Sequence, residues 1–136
     1  NLLRSDLLIT ISRILLAVYF LSAGIGKFLA WDTHVALMEL HNMTMIPILL
    51  AIAGIAQIGG SICLVFNKYV VACSLGFAVM TILININLHD FWNVYEGVDV
   101  THETQNFIKN LGVLVAFLLL AAVNIEDNRP KIKTLE

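Results

Sequence analysis

Apolar residues in this chain come in long runs rather than in alternation. Leu7 to Leu29 carries no charge except Arg13 and Lys27, Ile46 to Phe66 and Tyr69 to Leu88 carry none, and Phe107 to Ile125 carries only Lys109. About 20 mostly apolar residues in a helix cross roughly 30 Å of hydrocarbon with every backbone group bonded internally. The pattern therefore predicts four spanning helices. Only Asn67 and Lys68 separate the second from the third, which makes that pair an antiparallel hairpin with a tight turn at one membrane face. The apolar part of the first span is longer than the core of a cleavable leader, so it is expected to stay in the mature protein.

Composition agrees with a bilayer as solvent. Of the 136 residues 59% are hydrophobic and only 13% charged, against about 45–50% and about 25% in soluble domains. A net charge of -2 with scattered Lys and Arg leaves no basic patch for nucleic acid. Four spans put both ends of the chain on one side, where Arg4, Arg13, Lys68, Arg129, Lys131 and Lys133 also fall; the other side has only Lys27 and Lys109. By the positive-inside rule the termini and the 67–68 turn are cytoplasmic, and segments 30–45 and 89–106, rich in Asp and Glu, face outward. The expected fold is an all-α polytopic four-helix membrane bundle forming one domain across residues 1–136.

Helices in lipid associate through small residues and interhelical hydrogen bonds. Arg13, Ala17, Phe20, Gly24 and Lys27 step by four, three, four and three along the first helix, so they form one stripe, expected to face the interior. Ala56 with Gly60, Ala72 with Gly76, and Gly112 with Ala116 have the spacing of close-packed faces on the other helices, with Lys109 leaning over the last. Charges at membrane depth need a partner or a route to water. Arg13 lies about 9 Å along its helix, where snorkelling to the cytoplasmic headgroups accounts for it as well as an interior partner does.

On the outer side Lys27, Asn85, His89, Asp90, Asn106, Lys109 and Asn110 are expected to gather under the headgroups. Gln57, about 16 Å into its span, is the strongly polar group nearest the midplane. Such a cluster suits a carbonyl-bearing amphiphile such as a quinone: Lys27 and Lys109 polarise its oxygens, His89 carries a proton, and Asn85 and Asn110 orient the ligand. Arg13, Gln57, Asp90 and Asn106 are read as structural polar residues, and bonds that merely fix packing are the competing account of the whole cluster. Trp31, Phe91, Trp92 and Tyr95 read as an interfacial aromatic belt. His34, His41, His89 and His102 all fall on the outer side, with Met38, Met43 and Met45 nearby, but no ligand spacing supports a metal, and none is expected. A bis-His haem is not supported, since only His89 belongs to a predicted helix. Cys63 and Cys73 sit at similar depth about the hairpin turn, within reach of each other, and read as inert packing residues. No Ser-His-Asp set, phosphate loop or paired carboxylate appears.

The run from Arg13 through Ser22-Ala-Gly-Ile-Gly-Lys27-Phe, the Gln57-Ile-Gly-Gly segment, His89-Asp-Phe-Trp92 and Asn106-Phe-Ile-Lys-Asn110-Leu, in that order over four spans, resembles the DoxX family from about Ser12 to Asn124. Many members carry Glu where this chain has Gln57, so no ionisable group stands at the midplane here. The resemblance implies a membrane subunit of a thiosulfate:quinone oxidoreductase, or an anchor for oxidoreductase assemblies, in the bacterial inner membrane. Arg13, Lys27, His89, Lys109 and Asn110 occupy the family's recurrent polar places. The expected partners are the lipid bilayer with a soluble oxidoreductase or a second copy of the chain, and the cofactor, if any, is a quinone. A non-catalytic scaffold or assembly factor is the main alternative, and a small transporter a further one.

Overall fold

The computed structural model describes residues 6–127; Arg4, Arg129, Lys131 and Lys133 of the charge argument lie outside them. Five helices follow in order: α1 Asp6–Leu29, α2 Trp31–Leu40, α3 Ile46–Val65, α4 Val70–Leu88 and α5 Val100–Asp127, with no strand among the described residues. Helices α1, α3, α4 and α5 are each long and apolar enough to cross a membrane. Their apolar residues point outward in large numbers, Leu15, Ile55, Val79 and Leu119 among them. That inversion is expected where hydrocarbon is the solvent.

The four spans form a ring in which α1 packs along α3, α3 along α4 and α4 along α5, while α5 and α1 touch least. Between those two lies an apolar groove lined by Leu8, Ser12, Leu16, Ala116, Leu119 and Val123. Phe20, Phe77 and Phe117 meet at the bundle axis with ring centroids 4.6 to 5.3 Å apart, and Ala17, Leu64, Val70, Ala78 and Leu120 complete that core. The α1 stripe faces inward as its spacing predicts: Arg13, Ala17, Phe20 and Gly24 are buried, and Lys27 is half-buried.

Three departures from the sequence reading have physical causes. Segment 30–45 is not a loop throughout, because Trp31, Val35 and Met38 recur at helical spacing and bury against Ile46 and Leu50 of α3 as α2. Helix α5 begins seven residues before the apolar run, since the Asp99 carboxylate accepts from the backbone N–H of Thr101 at 2.9 Å and of His102 at 3.4 Å and so caps a new first turn. The α3–α4 turn takes in Phe66 and Tyr69, with Asn67 and Tyr69 in the left-handed region at φ 56° and 53°. In this hairpin Cys63 and Cys73 are neighbouring, half-buried free thiols.

The small-residue pairs divide. A Cβ on Gly24 would stand 2.9 Å from Gln57 Cβ and 3.1 Å from the Gly54 carbonyl oxygen, and one on Gly60 would stand 2.6 Å from the Phe77 ring. These glycines set the α1–α3 and α3–α4 approach. Ala56, Ala72, Gly76 and Gly112 are exposed instead, with open space around Gly76 and Gly112, because the core-facing side of α4 is taken by Val70, Ser74, Phe77 and Thr81. Gly24→Ala is therefore expected to cost about 1–3 kcal/mol through overpacking against backbone, read as a lower thermal midpoint in detergent. Gly112→Ala should leave the midpoint unchanged or raise it; equal losses for both would contradict this packing.

Candidate functional site

The two ends of the bundle differ in chemistry. At the hairpin-turn end Arg13 is the informative side chain. The last carbonyls of α3 have no intrahelical donor, and the Arg13 guanidinium, buried on α1, donates to the carbonyl oxygens of Leu64 and of Val65, the second at 3.1 Å. Arg13 is thus not a snorkelling cation but a cross-helix cap, placed where the negative end of the α3 dipole favours positive charge.

At the opposite end, where α2 and the 89–99 segment lie, the polar cluster splits in two. The first part joins α4 to α5. Asn85 is buried, donates from Nδ2 to the Phe107 carbonyl at 3.1 Å and accepts at Oδ1 from Asn110 Nδ2 at 2.8 Å. At the C-terminal cap of α4, four residues on, His89 Nδ1 lies 2.5 Å from Glu103 Oε2. A carboxylate accepts only, so Nδ1 carries the hydrogen and Nε2 of the neutral ring presents its lone pair. Glu103, Phe107 and Asn110 step by four and three, so one face of α5 meets Asn85 and His89 on one face of α4. Glu103 is the residue the sequence reading missed. Its spacing to Phe107 was the available signal, hidden by starting α5 at Phe107.

The second part gathers around Asp90, which leaves the Asn85–His89 group. Asp90 is buried and accepts at Oδ2 from Asn93 Nδ2 at 2.7 Å and from the Tyr95 hydroxyl at 2.6 Å. Burial by itself pushes the Asp90 carboxyl up, but the hydrogen bonds from Asn93 and Tyr95, a backbone N–H and the nearby His41 together outweigh it and hold Asp90 below the ordinary carboxylate range. The bond donated to Asp90 pushes the Tyr95 phenol up, with burial and the carboxylate charge adding to it. His41, at the end of α2, packs its ring on Tyr95 at 4.8 Å. Tyr95 therefore holds a carboxylate rather than serving an aromatic belt; Trp92 is exposed, and Trp31 stacks on Phe28 at 6.1 Å.

The remaining expected members are elsewhere. Lys109 is exposed, beside the open Gly112 face, and Lys27 is half-buried; neither makes an ion pair or hydrogen bond among the described residues. Asn106 reaches only His102 on its own helix, at 3.5 Å. Both ion pairs of the described residues involve histidine, His89 with Glu103 and His41 with Asp90. Gln57 is 2% exposed near the midplane, where its Oε1 has no hydrogen-bond partner among the described residues.

A family model described as DoxX matches residues 8–90, more than half of the chain, from α1 to the end of α4. The chain belongs to the DoxX family. In this DoxX protein the match takes in Arg13, Lys27, Gln57, Asn85, His89 and Asp90, while Glu103 and Asn110 on α5 lie beyond it. Its four apolar helices make it an integral membrane protein. No curated protein sequence and no solved structure matches the chain.

Arg13→Met keeps most of the stem but leaves the Leu64 and Val65 carbonyls without their charged donor. The expected cost is about 2 kcal/mol, seen as a lower thermal midpoint in lipid nanodiscs. An unchanged midpoint would return Arg13 to the headgroups.

Proposed function

We propose that this DoxX protein is the membrane subunit or anchor of an oxidoreductase assembly in the bacterial inner membrane, with its termini cytoplasmic, and that it holds a quinone-type ligand near the outer leaflet. The observation that carries the reading is the Glu103–His89 pair. A carboxylate that fixes the imidazole tautomer at Nδ1 leaves Nε2 as a base at the membrane interface and stabilises the imidazolium once it forms. A quinone taking two electrons from a partner protein needs two protons to become quinol. The protonated His89 ring supplies protons at the ligand oxygen and is recharged from the aqueous side. The Asn85–Asn110 amide pair, one turn deeper, positions the ring. Lys27, half-buried and without an ion pair among the described residues, supplies positive charge at the same end; Lys109 is exposed and stands outside this ligand set.

A second reading, a non-catalytic scaffold, draws on the open faces at Gly76 and Gly112, which accept close approach of another helix. Purification in mild detergent separates the two. The quinone reading expects a quinone to copurify with the wild-type chain and to be lost from His89→Ala, with Lys109→Ala retaining it. A tightly held soluble partner with no small molecule in the wild-type preparation would favour the scaffold, and a quinone retained equally by His89→Ala would remove His89 from the site.

A further inference from the structure

The His41–Asp90 pair does not belong to the site described above, and its bonding turns on one proton. His41 Nδ1 lies 2.9 Å from the Leu37 carbonyl oxygen. A carbonyl only accepts, so Nδ1 bears the hydrogen and Nε2 of the neutral ring is an acceptor. Asp90 Oδ2 is occupied by Asn93 and Tyr95, and Oδ1 faces His41 Nε2 at 3.9 Å. Both facing atoms are buried, and neither has a hydrogen-bond partner among the described residues. While the ring is neutral two acceptors confront each other, a costly arrangement away from water. A proton on Nε2 makes it a charged donor, and the contact can close from 3.9 Å to the about 2.8 Å of an imidazolium–carboxylate bond.

The pair is also where segment 90–98 is fastened. The hydrogen bonds of that segment stay within residues 89–98: Phe91 to His89, Asn93 and Tyr95 to Asp90, and Val98 to Tyr95. Asp90 opposite His41 is therefore the polar contact that joins the segment to a helix, beside the ring contacts of Tyr95 on His41 and of Phe91 and Trp92 on Phe107. We propose that His41 and Asp90 form a proton-operated clasp, in which the protonated imidazole fastens segment 90–98 to the end of α2 and the neutral imidazole releases it. The other groups around His41 leave that role to Asp90. Helix α3, on which α2 packs, carries no charged residue, Glu39 on α2 itself is exposed, and Lys27 of α1 makes no bond to either member of the pair among the described residues. A cavity of about 290 Å³ opens beside the pair and gives the proton a route; besides the pair, its polar lining is the neutral Asn42, Thr44 and Asn87 together with Tyr95. The Tyr95 phenol, pushed up by the bond it donates to Asp90, stays neutral. Burial pushes the Asp90 carboxyl up, but the bonds from Asn93 and Tyr95 outweigh it and keep Asp90 charged at mildly acid pH. Histidine exchanges its proton between about pH 5 and pH 8. The fastened form binds that proton more tightly than the released form, so fastening strengthens as pH falls through this range and is lost as pH rises. The His89–Glu103 pair is no second clasp, because its neutral ring already donates to the carboxylate and an added proton closes no gap.

Hydrogen–deuterium exchange of the full chain in lipid nanodiscs, followed by mass spectrometry on peptides covering residues 90–98 and corrected for the intrinsic pH dependence of exchange, tests the clasp. Corrected exchange of the wild-type segment is expected to be at least about fivefold slower at about pH 5.5 than at about pH 8. His41→Phe keeps a ring against Tyr95 but has no nitrogen to protonate, so its segment should exchange at the fast rate at both pH values. The near-isosteric Asp90→Asn gives a signature that loss of structure would not. Its amide oxygen stays with the Asn93 and Tyr95 donors, which turns the amide N–H toward the neutral His41 Nε2. That variant should be protected at pH 8 and lose or reverse the pH dependence. His34→Ala and His102→Ala should keep the wild-type difference. Equal corrected exchange of the wild-type segment at both pH values, a pH difference retained in His41→Phe, or faster exchange of Asp90→Asn than wild type at pH 8 would each overturn the proposal.

Discussion

Hydrocarbon offers no hydrogen bonds, so a polar group carried into it is stabilised by a partner within the protein; Arg13 and Asn85 find one, while Gln57 Oε1, Ser61 Oγ and Ser74 Oγ have none among the described residues. That constraint accounts for the architecture more fully than hydrophobic burial, which is nearly neutral between helix and lipid. Phe20, Phe77 and Phe117 fill the centre of the bundle, but the contacts that choose which helices are neighbours are polar or glycine-mediated. Arg13 ties α1 to the end of α3, Gly24 and Gly54 let those helices approach, and Asn85 with His89 ties α4 to α5. The result is two strongly joined pairs linked by the α3–α4 hairpin, with a looser seam between α1 and α5.

The same constraint marks the polar groups that packing does not use up. Asn85 accepts from Asn110 and donates to the Phe107 carbonyl. His89 spends one nitrogen on Glu103 and keeps the other, and His41 spends one on its own helix and keeps the other. His34 is fixed in the same way by the Ala30 carbonyl, so three imidazoles at one end of the bundle have a defined tautomer, and of these His89 and His41 face carboxylates. His89 is held by the Glu103 carboxylate and His41 by the Leu37 carbonyl, so the two rings are anchored independently.

Much of the fold was legible because spanning length and lack of charge leave few alternatives. The first three spans end within a residue of their expected bounds, the fourth is longer at both ends, and the α1 stripe faces inward as its period requires. The chemistry at the helix ends was less legible, because it depends on residues outside the apolar runs. Glu103 reads as loop until Asp99 is recognised as a cap. Trp31, Val35 and Met38 carry a helical period too short to stand out beside the spans. Lys109 looked like a ligand because its neighbour Gly112 looked like an interface, yet rotation about the α5 axis turns both outward. Small-residue spacing shows where close approach is allowed, not where it happens.

The account stands on the claim that polar pairs across helices, not apolar contact, fasten this end of the bundle. A double-mutant cycle on His89→Ala and Glu103→Gln, read by reversible unfolding in lipid nanodiscs, tests it most directly. The account predicts a coupling energy of about 1 kcal/mol or more between the two positions. Purely additive losses, with no coupling, would contradict it.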